Sequence, residues 1–71
     1  MSQQNPGDAV LAWLWELSDG TRAAVVEHTA APQWELQVTK NGRIVERERC
    51  ESFPALIAAS TAARLRADAQ N

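Results

Sequence analysis

Few side chains in this sequence could take part in proton transfer or nucleophilic chemistry. His28 is the single histidine and Cys50 the single cysteine among 71 residues. A histidine can act as a general base when the fold brings a carboxylate or a nucleophile to it, but no residue spacing predicts such a partner. We therefore expect His28 to be solvated or structural. We expect Cys50 to be a small buried hydrophobic residue.

Metal and cofactor sites are not predicted either. One cysteine and one histidine cannot supply the ligands of a tetrahedral zinc site within one chain. The sequence has no phosphate-binding glycine loop and no pair of carboxylates at a defined spacing. We expect no catalytic residue, no cofactor and no metal, and therefore a protein that is not an enzyme.

Aromatic and basic side chains could instead bind nucleic acid. Trp13, Trp15 and Trp34 could form a platform on which single-stranded bases stack. The arginines between residues 43 and 49 are a weaker signal, because neighbouring glutamates cancel their field. The whole chain has 7 basic and 9 acidic residues, a net charge of −2 and a pI near 5.2. Nucleic acid is thus an unlikely partner, and single-stranded binding is the alternative to the leading functional hypothesis.

The sequence also predicts where the protein resides. Residues 1–8 are polar, contain a Pro-Gly pair and lack periodicity, so we expect a disordered tail. They lack the basic and apolar regions of a signal peptide. No apolar run approaches the roughly 18 residues of a membrane span. Together with the lone thiol, these features predict a cytoplasmic protein that does not enter a membrane.

The first structured segment is apolar on two sides. Read as a strand, residues 12–17 place Trp13 and Trp15 on one face, and Ala12 and Leu14 on the other. An Asp-Gly pair follows at residues 19–20, and residues 22–29 then form the return strand of a hairpin with a type I′ turn. A helix over residues 9–17 is the alternative, because alanine and leucine favour it. The Trp-x-Trp-x-Leu spacing favours the strand.

The second hairpin has the clearest pattern in the chain. Trp34, Leu36 and Val38 alternate with polar residues, which predicts a strand with one dry and one wet face. Asn41-Gly42 is a strong hairpin signal, and residues 43–50 form the return strand. The alternating charges of that strand are typical of a sheet edge that resists pairing.

The register of this hairpin is left open by the sequence. A two-residue loop places Glu35 opposite Glu48, whereas a three-residue loop with a glycine bulge places it opposite Arg47. Opposite charges favour the bulge. The bulge, however, aligns Glu46 and Glu48 with the apolar face.

A helix follows the second hairpin. Ser52 is the predicted N-cap and Pro54 lies in the first turn, where its missing N–H does no harm. The residues predicted to face the sheet form a narrow stripe: Phe53, Leu56, Ile57, Ser60, Ala63 and Ala67. Leu65 lies off this stripe and is a candidate for exposed apolar surface.

Residues 33–65 resemble the second half of a double-stranded-RNA-binding domain. The resemblance rests on the alternating Trp34, Leu36 and Val38, the Asn41-Gly42 turn, the return strand and the alanine-rich helix. It covers less than half of the chain. The phosphate-gripping lysines of that family are replaced by Phe-Pro-Ala-Leu at residues 53–56, and its Gly-Pro-x-His loop has no counterpart. The resemblance therefore implies a shared hairpin-then-helix unit and carries over no RNA-binding residue.

These signals predict an α+β fold: a four-stranded antiparallel β-meander with one C-terminal helix packed on one face. Three strands between two helices is the alternative. We expect a single domain over residues 9–68 and a frayed end over residues 69–71. A domain this small gains only about 3–5 kcal/mol from its core, so self-association is a common support.

The leading hypothesis is a small non-enzymatic interaction module that self-associates through an apolar sheet face. Its partner is expected to be a second copy, giving a homodimer, or an unidentified protein. The biological process remains open at this level. The candidate interface residues are Trp13, Leu14, Trp15, Val25, Val26 and Leu65.

Overall fold

The computed structural model describes residues 9–70. The predicted disordered tail, residues 1–8, lies outside the described residues, and so does Asn71. Four strands and one helix follow in chain order: β1 (Ala9–Glu16), β2 (Arg22–Glu27), β3 (Trp34–Lys40), β4 (Arg43–Cys50) and α1 (Phe53–Ala69). The strands form one antiparallel sheet in the order β1-β2-β3-β4. The predicted α+β meander is confirmed, and the first segment is a strand rather than a helix.

The first hairpin differs from the predicted one in its turn. A type I′ turn needs positive φ at both central residues, yet of Asp19 and Gly20 only Gly20 has it, at 91°. The Leu17 N–H donates to Thr21 O at 2.8 Å and the Gly20 N–H to Leu17 O at 3.0 Å. The loop is therefore three residues long with glycine in the left-handed position, and the type I′ prediction is wrong.

The second hairpin turns at Asn41-Gly42, as predicted, but through a two-residue loop rather than the three-residue loop that the charges favoured. Its register is one that neither alternative described. Asn41 and Gly42 have φ of 56° and 79°, as a two-residue type I′ loop requires. A bulge interrupts the ladder beside Val38 and Thr39, so Glu35 lies opposite Arg49. Both predicted registers of Glu35 are therefore wrong, because the extra residue lies within β4 rather than in the loop.

One face of the sheet carries the core, and we call it the helix face. The buried cluster there comprises Ala23, Val25, Leu36, Val38, Cys50, Leu56 and Ala63. Helix α1 packs mainly on β3 and β4. Its N-cap is Ser52, whose Oγ accepts a hydrogen bond from Ala55 N at 3.2 Å, as predicted. The hairpin-then-helix unit implied by the family resemblance is thus present.

The helix stripe is narrower than predicted. Leu56, Ser60 and Ala63 are buried, whereas Phe53 and Ile57 remain largely exposed. Phe53 lies against the edge of the Trp34 ring, with ring centroids 5.5 Å apart. Cys50 is buried in the core, as expected for a small hydrophobic residue.

Candidate interaction surface

Among the residues that the structure describes, strand β1 lies at a free edge of the sheet, and it is irregular. Its pairing with β2 shifts between Val10 and Ala12 and again between Trp13 and Trp15. Each shift adds an unpaired residue to β1, and a bulge of this kind turns the following side chains to the other face. The two bulges decide which faces the apolar residues of β1 occupy.

The tryptophans of β1 lie on opposite faces as a result. Trp13 pairs with Ala24, on the face away from the helix, which we call the open face. Trp15 pairs with Ala23 on the helix face, and its Nε1 donates to Ser60 Oγ at 2.9 Å. The prediction that both tryptophans share a face is therefore wrong, because it assumed strict alternation through a strand that contains a bulge.

The exposed part of β1 is apolar except for Glu16 at its end, which lies next to Arg22. Val10, Leu11 and Trp13 are 47%, 52% and 51% exposed. We call these three residues the β1 patch. The guanidinium carbon of Arg22 lies 4.0 Å from the centroid of the Trp13 ring. This cation–π contact orients the indole without burying it, so about half of a large aromatic side chain meets water.

A shallow groove flanks β1 on its helix side. It lies between β1 and α1 and is lined by Trp15, Ser60, Thr61, Arg64, Leu65 and Asp68. Leu65 is 66% exposed, which agrees with its position off the predicted helix stripe. The Arg64 guanidinium lies 6.0 Å from the Trp15 ring. Apolar surface is thus exposed on both sides of the free edge of β1.

The other candidate interface residues lie within the fold. Val25 and Val26 are buried, on the helix face and the open face respectively. Leu14 is half-buried and packs against the core cluster. Of the six candidates, Trp13 and Leu65 are the most exposed, at 51% and 66%. Val10 and Leu11, which sequence reasoning did not select, join Trp13 on the strand.

The opposite edge of the sheet, β4, is more highly charged. Ile44 and Val45 are exposed there, but its other exposed residues are all charged: Arg43, Arg47, Glu48 and Arg49. Glu46 is paired with Arg66 of the helix. Such charges oppose pairing with another strand because a partner would have to desolvate them. The edge character predicted for residues 43–50 is confirmed.

A buried carboxylate lies on the open face, where a wet residue was predicted. Glu35 is 1% exposed. Its Oε2 accepts a hydrogen bond from Arg47 Nε at 2.6 Å, and its Oε1 is bonded to Nε2 of His28. Burial alone would raise the pKa of Glu35, but the hydrogen bonds from Arg47 and His28 outweigh it and lower the pKa below its ordinary value. Glu35 is therefore an ionised, buried carboxylate held by two basic side chains, Arg47 and His28.

This arrangement gives His28 a structural role. Its imidazole pairs with Glu35, and its backbone N–H donates to Gln33 O at 2.7 Å across the β2–β3 loop. Arg49 holds the same loop by donating from Nε to Pro32 O at 2.9 Å and from Nη2 to Ala30 O at 3.0 Å. These contacts fix the loop against β4. The sequence signal for this arrangement was the presence of opposite charges on neighbouring strands, at Glu35 of β3 and at Arg47 and Arg49 of β4.

The described residues contain no further cluster of side chains suited to catalysis or metal binding. Burial, with a smaller contribution from Glu48, raises the pKa of the Cys50 thiol, which makes the nucleophilic thiolate scarcer. No group of three or more His, Cys, Asp or Glu residues within residues 9–70 could hold a metal ion. Over the same residues, no helix is long and apolar enough to cross a membrane.

No protein-family model, curated protein or solved structure matches this chain. Its candidate site is therefore defined by its own geometry: a mainly apolar strand at one edge of the sheet and a highly charged strand at the other.

Proposed function

We propose that this protein is a small non-enzymatic interaction module that self-associates through apolar surface of its sheet. The observation that carries the proposal is the β1 patch. Val10, Leu11 and Trp13 expose about half of their surfaces on a strand that, within residues 9–70, has no neighbour on one side. Contiguous exposed apolar side chains of this kind mark interaction sites in small proteins.

The small size of the domain supports a second copy as the partner. A chain of 71 residues buries a smaller share of its surface than larger domains do, and its core yields few kcal/mol. Burial of the β1 patch in a homodimer would add stability that the isolated domain lacks.

No cofactor or metal is part of the proposal. We place the protein in a reducing compartment such as the cytoplasm, because its one cysteine is a buried free thiol.

Sedimentation velocity of the full chain over a micromolar concentration series tests the proposal. The weight-average sedimentation coefficient should rise with concentration, from the value of a 7.8 kDa monomer toward that of its dimer. A strict monomer at high micromolar concentration would refute self-association. Association should survive raised salt because the patch carries no charge.

Single-stranded nucleic-acid binding remains the alternative. Trp13 is exposed on the open face beside Arg22, and Arg47 lies on the same face. Its support is weaker, because Trp15 and Trp34 pack against the core on the helix face and do not extend a platform around Trp13. Quenching of tryptophan fluorescence by single-stranded oligonucleotides at low salt would favour this alternative.

A further inference from the structure

We infer that two copies associate edge to edge, with β1 facing β1 of the second copy across a two-fold axis, and that the assembly closes at a dimer. This inference rests on the proposed function and specifies its geometry. The β1 patch could instead be covered face to face, by stacking of two open faces. Two observations separate these arrangements, and a third limits the assembly to two copies.

The distribution of apolar surface favours the edge. Val10 and Trp13 lie on the open face, and Trp15 and Leu65 line the groove on the helix side. A partner lying beside β1 covers both sets at once. A partner stacked on the open face covers Val10 and Trp13 but leaves the groove in water.

The charges of the open face oppose stacking. Arg22, Arg47 and Arg49 lie on this face, Arg22 next to Glu16 of β1, and Arg47 and Arg49 beside the buried Glu35. Stacking of two open faces would remove Arg47 and Arg49 from water without supplying a further acidic partner, which is unfavourable. Edge-to-edge contact leaves β3 and β4 solvated.

The difference between the two edges limits the assembly to two copies. A head-to-tail contact of β1 with β4 is heterologous and would build a ring or an open filament. The β4 edge exposes Ile44 and Val45, but it also presents Arg43, Arg47, Glu48 and Arg49, and the apolar β1 patch offers these charges no partner. A β1-to-β1 contact is isologous, because each copy uses the same surface. It buries apolar side chains against apolar side chains and leaves the β4 edge of each copy in water.

The bulges determine how the contact is made. They interrupt the regular ladder of β1 on either side of Ala12 and Trp13, and bulged edges resist long main-chain pairing. Side chains therefore make most of the contact. A patch of this kind offers on the order of 400 Å² per copy, below the roughly 800 Å² of a standard interface, so we expect a weak and reversible dimer.

Lysine substitutions distinguish edge-to-edge from face-to-face association. Leu11→Lys and Leu65→Lys should each weaken the dimer by at least about tenfold, since the two-fold axis introduces each charge twice. Ile44→Lys is the matched control. Ile44 is an exposed aliphatic residue on the open face, but it belongs to β4 at the far edge. It should leave the dimer unchanged.

Sedimentation velocity of the wild type and the three variants gives the readout, with near-UV circular dichroism showing that each variant is folded. If wild type associates but Ile44→Lys abolishes the dimer while Leu65→Lys does not, stacking of open faces is correct and the edge-to-edge inference is wrong. Growth of wild type beyond a dimer would also overturn it. If wild type does not associate at all, the proposed function itself fails.

Discussion

Replacing the buried Glu35 by glutamine should destabilise the fold by about 2 kcal/mol. Glutamine keeps the size of the side chain but removes the charge that pairs with Arg47 and His28. Removing one partner of a buried ion pair costs about 3–5 kcal/mol, whereas an exposed pair contributes about 0–1 kcal/mol. Glu35 is 1% exposed but the Arg47 side chain is 54% exposed, so the expected loss lies between these limits.

The effect should depend on pH in a defined direction. The pKa of Glu35 is lowered in the folded protein from its ordinary value of 4.5. A carboxyl group with a depressed folded pKa stabilises the fold above its unfolded pKa, and this contribution disappears as pH falls through the folded pKa. The difference in free energy of unfolding between wild type and Glu35→Gln should therefore have its full value at pH 6 and become smaller below about pH 4.5.

Urea unfolding followed by tryptophan fluorescence measures both quantities, at a concentration where sedimentation shows monomers. Glu48→Gln is the matched control, since Glu48 is an exposed carboxylate on the edge strand. It should change the free energy of unfolding by less than about 0.5 kcal/mol. If Glu35→Gln is no more destabilising than Glu48→Gln, the buried ion pairs do not stabilise the sheet and the reasoning is refuted.

Two further predictions concern the helix. Leu56→Ala removes a fully buried side chain between α1 and the sheet and should cost about 2–5 kcal/mol in urea unfolding; a loss below 1 kcal/mol would contradict the packing described. Ser60→Ala removes the acceptor of the Trp15 indole N–H and should cost about 1 kcal/mol. It should also alter the near-UV circular dichroism of tryptophan, whereas Thr61→Ala should do neither.

The parts of the fold that the sequence predicts correctly carry strong local signals. Trp34, Leu36 and Val38 alternate without interruption, and all three pack on the helix face. Asn41-Gly42 adopts the positive φ angles that a two-residue turn requires. Ser52 caps the helix through its hydroxyl. Each of these features depends on interactions within a few residues, so a single sequence is enough to find it.

Burial of Glu35 has no such local cause. Alternation along β3 places it on the face expected to be wet. It is buried because His28 comes from the loop after β2 and Arg47 from β4, and both lie against it. The register that brings Arg47 near Glu35 depends on a bulge within β4. Long-range pairing of this kind does not follow from spacing along one strand.

The bulges of β1 have the largest effect on the functional conclusion. No glycine or proline lies between Val10 and Trp15 to announce them. Without them, Trp13 and Trp15 would share one face, and a partner would be expected to cover that face. With them, Trp15 bonds to the helix while Trp13 lies exposed on the other side of the sheet. The exposed apolar surface of β1 and of the adjoining groove is thereby divided between the two faces of the sheet, and a partner that covers both parts must lie along the edge formed by β1.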